Sequence, residues 1–60
     1  MEFSIGTRLK ELRKAKSFSI TELAEKSGVS TGLISQIERN LVVPSVVNLY
    51  RIAQALGTDI

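Results

Sequence analysis

The chain contains no cysteine and no histidine. Without cysteine there is no disulfide framework and no thiolate chemistry. Without histidine the commonest metal ligand and the commonest general base are both gone. A metal could be held only by carboxylates, and Asp59 is the sole aspartate; no cofactor is expected. There is no glycine-rich phosphate loop, and so short a chain cannot converge paired carboxylates in a pocket. An enzyme therefore fails on inventory. The apolar runs are a few residues long, too short to cross a bilayer. Met1-Glu2-Phe3-Ser4 lacks the basic-then-apolar order of a secretory signal, so a cytoplasmic location is the default expectation.

What is present fits one small domain. Sixty residues lie near the lower limit of what an unstapled hydrophobic core stabilises. The net charge of +2 permits nucleic-acid binding without arguing for it. Half of the basic residues (Arg8, Lys10, Arg13 and Lys14) fall within seven positions. By charge alone they read as a solvated helix face. No repeats, low-complexity tracts or internal linkers divide the chain.

The first four residues read as a short lead-in. Ile5, Leu9 and Leu12 recur at helical spacing and predict a first helix over about 5–16, capped by Ser4. Gly6 reads as a weak spot in its first turn. Lys14 and Lys16 suit the negative end of the helix dipole. Phe18 reads as a core plug in the connection that follows.

The stretch from Ser19 to Asn40 organises the rest. Ser19 with Glu22 three residues later forms a capping box for a second helix over 20–27, whose apolar residues are Leu23 and Ala24. Glu22 and Lys26 stand four apart in the favourable order. Gly28 supplies a left-handed helix end. Ser30 caps a third helix over about Thr31 to Arg39, with Ile34 and Ile37 inward and Val29 in the corner. A short helix, a glycine-containing turn and a second capped helix make a helix-turn-helix signature. Asn40 suits a left-handed end. Pro44 closes the Leu41-Val42-Val43 loop. Ser45 caps a fourth helix over about 46–56 with a core stripe of Val46, Leu49, Ile52, Ala53 and Leu56. Gly57 ends it, and Thr58-Asp59-Ile60 reads as the start of a fifth.

Glu22-Leu23-Ala24, Gly28-Val29-Ser30, Ile34-Ser35-Gln36-Ile37-Glu38-Arg39 and Pro44-Ser45 occur in this order and spacing. Together they resemble the Cro/C1-type (XRE) helix-turn-helix family of bacterial and phage transcriptional regulators, from Ile5 to Ile60. The resemblance implies an all-α, compact, four- to five-helix, lambda-repressor-like DNA-binding domain, with the helix-turn-helix formed by helices 2 and 3. Its implied function is sequence-specific double-stranded DNA binding by a regulator, most often a repressor. It also implies an ion pair between Arg13 and Glu38 that fixes helix 1 against helix 3. The run from Leu33 to Arg39 followed by Pro44-Ser45 is most similar to regulators with a C-terminal cupin barrel. On that likeness, residues 1–60 are expected to be a single domain excised from a longer regulator. Full-length relatives pair on inverted-repeat operators, so a homodimer is expected of the full protein. Relatives often dimerise through the fifth helix and beyond, so these sixty residues alone are expected to be a monomer or weak dimer.

A major-groove reader needs a rigid helix with side chains toward base edges. The third helix offers Thr31, Leu33 and Gln36 for this: a carboxamide pairs with adenine, and methyl groups suit thymine. Phosphate anchors position a protein without reading sequence. The candidates are Ser19, Thr21, Ser30, Ser35, Arg39 and Asn40, near helix ends with unpaired backbone N–H groups or just beyond the third helix. Ser19 and Ser30 would be needed as caps whether or not DNA is bound. Gly32 either admits close backbone approach or is merely tolerated.

Two departures from the family pattern stand out. Ile20 occupies a place where relatives often carry a phosphate-binding glutamine. Leu41, Val42 and Val43 are apolar where relatives are polar and often basic; such a patch suits a contact with another domain or protein. The alternative to DNA binding is a protein–protein interaction module that retains the fold. Loss of salt-dependent DNA affinity would single it out.

Overall fold

A computed structural model describes residues 4–57. The expected lead-in before Ser4 and the fifth-helix start at 58–60 lie outside the described residues. Four helices follow one another: α1 Ile5–Ala15, α2 Ile20–Ser27, α3 Thr31–Glu38 and α4 Val46–Leu56. The structure is all-α among the described residues, as the sequence implies.

Each helix begins on a serine whose hydroxyl accepts a backbone N–H from the first turn. Ser4 serves Thr7, Ser19 serves Glu22, Ser30 serves Leu33 and Ser45 serves Asn48. Short helices are marginal by themselves, and a serine cap contributes about 1 kcal/mol over alanine. The Ser19–Glu22 pair is reciprocal: Glu22 N–H donates to Ser19 Oγ, and Ser19 N–H donates to Glu22 Oε1, each at 3.0 Å. These bonds hold the Glu22 carboxyl below its usual range, the backbone N–H of Ser19 being the largest cause.

The ends are equally defined. Gly28 turns left-handed at φ 74°, a conformation that costs a residue with a Cβ roughly 1–2 kcal/mol, and so brings α3 sharply back against α2. Asn40, at φ 60°, ends α3 in a paired arrangement. Its N–H donates to the Ile37 carbonyl, and the Leu41 N–H donates to the Gln36 carbonyl. That is a Schellman closure with asparagine in the place glycine usually holds.

The core is built from Leu9, Leu23, Val29, Ile34, Ile37, Ile52 and Leu56. Leu12, Phe18, Ile20, Leu33 and Leu49 pack against it while half-buried. Phe18 is thus the core plug that was expected, and Lys26 Nζ lies 5.1 Å from its ring centroid, a cation–π distance. Helix α2 packs on both α3 and α4, and α1 packs on α3.

Two expectations need correction. Val46 is not in the core stripe of α4; it is 84% exposed. Its angular position fits the stripe, but the first turn of α4 lies open, and the buried residues of the helix begin at Ile52. Gly6 is not a weak spot. It is buried, and a Cβ there would collide with the Ile37 carbonyl oxygen and sit 2.6 Å from Asn40 Oδ1. The glycine lets the first turn of α1 lie directly on the last turn of α3.

Candidate nucleic-acid interface

Helix α3 buries one face and opens the other. Ile34, Ile37 and Glu38 point inward. Gly32, Gln36 and Arg39, at i, i+4 and i+7, run along the middle of the opposite face and are exposed. Thr31 is exposed on one flank, with half-buried Ser35 beside it. Leu33 falls on the other flank, where it packs partly against the core. Of the three candidate base-contact residues, Thr31 and Gln36 therefore stand clear of the protein, whereas Leu33 offers only part of its side chain. A Cβ on Gly32 would meet nothing within 4 Å, so packing gives no reason for glycine there.

Three contacts fix the direction in which this face looks. The first is the ion pair between Arg13 and Glu38. Arg13 Nε–H donates to Glu38 Oε2 at 2.7 Å, and Nη2–H donates to Oε1 at 3.0 Å. The third guanidinium nitrogen, Nη1, donates to the Phe18 carbonyl at 2.8 Å. One side chain thereby ties α1, the α1–α2 connection and the end of α3. Both partners are 8% exposed. Donating to the Glu38 carboxylate, and next the charge of that carboxylate, raises the Arg13 pKa against the opposing effect of burial. Every polar atom of the pair is satisfied, and no buried side-chain nitrogen or oxygen among the described residues lacks a partner. The second contact is the seating of Gly6 on the Ile37 carbonyl. The third is a bond from Ser4 Oγ to Asn40 Oδ1 at 2.7 Å. Breaking one side of a buried ion pair typically costs about 3–5 kcal/mol, so the first contact outweighs the third.

The candidate phosphate anchors fall into two groups. Ser19, Thr21 and Ser30 are exposed at the N-termini of α2 and α3, and Arg39 is exposed at the end of α3. The hydroxyls of Ser19 and Ser30 accept backbone N–H groups and keep their own hydrogen for an outside acceptor. The first N–H groups of each helix have no intrahelical acceptor. Asn40 differs: its side-chain oxygen is committed to Ser4, leaving only its NH2 group. Ser35 is the least open of the set.

Sequence reasoning passed over Gly6 as a contact residue because its partner carbonyl lies thirty-one positions away. It also passed over Ser27, which is buried and whose Oγ accepts the Val29 N–H at 3.2 Å inside the turn. A serine two residues before the first buried residue after the turn was the available signal.

No group of three or more His, Cys, Asp or Glu that could hold a metal occurs among the described residues. No helix there is long and apolar enough to cross a membrane.

Two short capped helices at a left-handed glycine turn, with the second held outward by a buried ion pair, define a helix-turn-helix domain. The helix-turn-helix family profile HTH_3 matches residues 9–60, and the chain belongs to this family, of Cro/C1 type. It is 44% identical over 57 residues to the transcriptional regulator SinR of Bacillus subtilis, covering 93% of this chain and 51% of that protein. It is 44% identical over 53 residues to the regulator SutR of Escherichia coli, covering 88% of this chain and 30% of that one. It is 35% identical over 57 residues to the immunity repressor of Bacillus phage phi105, covering 95% and 40%. The chain thus spans about half the length, or less, of these curated relatives. A crystal structure of SinR, the master regulator for biofilm formation, in complex with DNA superposes with a TM-score of 0.88 at 45% identity, covering 92% of this chain and 89% of that one. The restriction-modification controller protein C.AhdI of Aeromonas hydrophila gives the same score at 39% identity, covering 90% and 82%.

Proposed function

We propose that this domain binds double-stranded DNA in a sequence-specific manner as the reading head of a cytoplasmic transcriptional regulator, a repressor in its simplest form. The observation that carries the reading is the open face of α3, where Thr31, Gly32, Gln36 and Arg39 stand clear while Glu38 anchors the helix from behind. In this reading α3 lies in the major groove. Gln36 pairs with a base edge through its carboxamide, and Thr31 and the exposed part of Leu33 meet methyl groups. Gly32 lets the helix backbone approach the bases closely. Ser19, Thr21 and the first N–H groups of α2 take one phosphate, Ser30 takes another, and Arg39 with the Asn40 NH2 group takes the flanking backbone. Ile20 cannot bond a phosphate, so anchoring at α2 falls to Thr21 and the backbone. The operator is an inverted repeat read by two copies.

The test begins with selection of a preferred duplex from random sequence, followed by affinity measurements across a salt series. Replacing Gln36 by alanine should cost about 1–3 kcal/mol on the selected duplex and flatten the preference at one base pair. Replacing Arg39 by alanine should weaken all duplexes alike and reduce the salt slope by about 1. If Gln36→Ala leaves the selected sequence unchanged, α3 is not the reading element.

A further inference from the structure

Beyond Arg39 the chain has little with which to hold a phosphate. No charged residue occurs from Asn40 to Tyr50, and Leu41, Val43, Val46 and Val47 stand exposed there. The last polar side chain before this apolar stretch is Asn40 itself. The way its carboxamide is turned decides what that end of α3 offers. An NH2 group donates to a phosphate oxygen, whereas a carbonyl oxygen repels it.

Two observations set the turn. Ser4 Oγ lies 2.7 Å from Asn40 Oδ1. The same Oγ accepts the Thr7 N–H at 3.1 Å as the cap of α1, and lies 3.0 Å from Thr7 Oγ1. A threonine hydroxyl can donate or accept, but a carboxamide oxygen can only accept, so the one serine hydrogen goes to Asn40. In addition, Oδ1 sits against the first turn of α1, 2.6 Å from where a Cβ on Gly6 would be. The Ile5 and Gly6 N–H groups there have no intrahelical acceptor, and the positive end of the helix dipole favours an oxygen over an NH2 group. The backbone of Asn40 is fixed as well, at φ 60° with its N–H on the Ile37 carbonyl. With the oxygen held by Ser4, the NH2 group is what this exposed residue has left for an outside acceptor.

We infer that Ser4 is a positioning residue for DNA binding: by holding the Asn40 oxygen against the first turn of α1, it aims the Asn40 NH2 group at a phosphate flanking α3. The inference rests on the DNA-binding reading above and adds to it a residue that acts only through another. One hydroxyl thus starts the first helix and orients a donor at the end of the third.

The test titrates the 60-residue chain, isotope-labelled in its amides, with an arbitrary-sequence duplex at low salt. The Asn40 side-chain NH2 signals should shift together with the backbone amides of α3. Asn40→Gly suits the positive φ and should bind every duplex about threefold to tenfold more weakly, the net worth of one hydrogen bond. Ser4→Ala, measured where it is folded, should lose as much, and Ser4→Thr, which keeps the hydroxyl, should bind like the parent. In an Asn40→Gly background Ser4→Ala should cost no further affinity, since nothing is left to aim. The salt slope should stay unchanged in these variants, because a neutral donor releases no counterion. Ser4→Asp separates aiming from capping. It keeps the cap but cannot donate, so its thermal midpoint should stay near the parent's while its Asn40 NH2 signals no longer respond to the duplex. Asn40 NH2 signals that ignore the duplex while the α3 amides respond overturn this inference alone. So does Ser4→Ala binding like the parent, or losing the same affinity in both backgrounds. A duplex that moves no signal at all removes the DNA-binding reading and the inference with it.

Discussion

The α1–α3 seam and the Leu41–Tyr50 surface lie on either side of Asn40, and they are built in opposite ways. The seam is polar, directional and closed. A bidentate ion pair, a glycine seated on a carbonyl and a serine–asparagine bond each accept one geometry. The surface beyond Asn40 is apolar, uncharged and open. Apolar burial is non-directional, so α2 and α4 could be packed together with some freedom. In the proposed reading α3 presents Thr31 and Gln36 at a fixed angle, and a helix with that task cannot tolerate that freedom. Directional contacts are concentrated where the direction of α3 is set, and surface that settles no direction is left to apolar side chains.

The largest effect should come from breaking the seam at its centre. Glu38→Ala leaves Arg13 charged and buried, with an expected loss of about 3–5 kcal/mol. A sixty-residue domain holds only about 3–9 kcal/mol in all, so a large share of its stability goes, and the thermal midpoint by circular dichroism should fall further than for any other substitution named below. Replacing both partners, Arg13→Met with Glu38→Leu, removes the stranded charge and should recover much of the loss. Recovery stays incomplete because the Phe18 carbonyl then lacks its donor, at a cost of about 1–3 kcal/mol.

Next comes Gly6→Ala. Alanine gains helix propensity of about 1 kcal/mol over glycine, but its Cβ would press on the backbone of Ile37, which cannot rotate away. Overpacking costs about 1–3 kcal/mol. The expected result is a net loss of stability in urea, with amide shifts centred on residues 4–8 and 37–40. A gain in stability would show that α1 does not seat on α3 at this point.

On the open surface, Val43→Ser and Val46→Ser should change stability by no more than about 0.5 kcal/mol. The same substitution at Ile37, in the core, should cost several times more. Equal costs at the two places would erase the contrast between seam and surface.

The smallest effect concerns Glu22. Its folded-state pKa lies below the unfolded value because Ser19 bonds the carboxylate. The stabilisation is therefore present above the unfolded pKa and lost as pH falls through the folded one. Glu22→Gln should be the less stable form at neutral pH, and the difference should close in the acid range below the ordinary carboxylate pKa. A difference independent of pH would place its origin outside the cap.

Local devices were legible in the sequence because cause and effect lie within four residues. Ser4, Ser19, Ser30 and Ser45 could be read as caps, and Gly28, Asn40 and Gly57 as ends. The connections after α2 and α3 followed from them, whereas the left-handed turn at Ser17 (φ 60°) after α1 had no such signal. Contacts across long separations were not legible in this way. Arg13 and Glu38 came together only through likeness to a family, since nothing in their spacing of twenty-five positions says they meet. Gly6 against Ile37 and Ser4 against Asn40 had no sequence signal at all. Val46 and Leu33 mark a different limit. Periodicity gives the angle of a residue around its helix, but not how far along the axis the neighbouring core extends. That extent left Val46 bare and half-covered Leu33.

The central claim is that the seam holds α3 with its Thr31–Gln36–Arg39 face turned toward DNA. The most direct measurement is an amide titration of the domain with an arbitrary-sequence duplex at low salt, where non-specific binding alone maps the contact face. Shifts confined to residues 19–22, 30–36 and 39–41, fading as salt is raised, are the predicted result. An absence of shifts, or shifts centred on residues 42–50 instead, would contradict it.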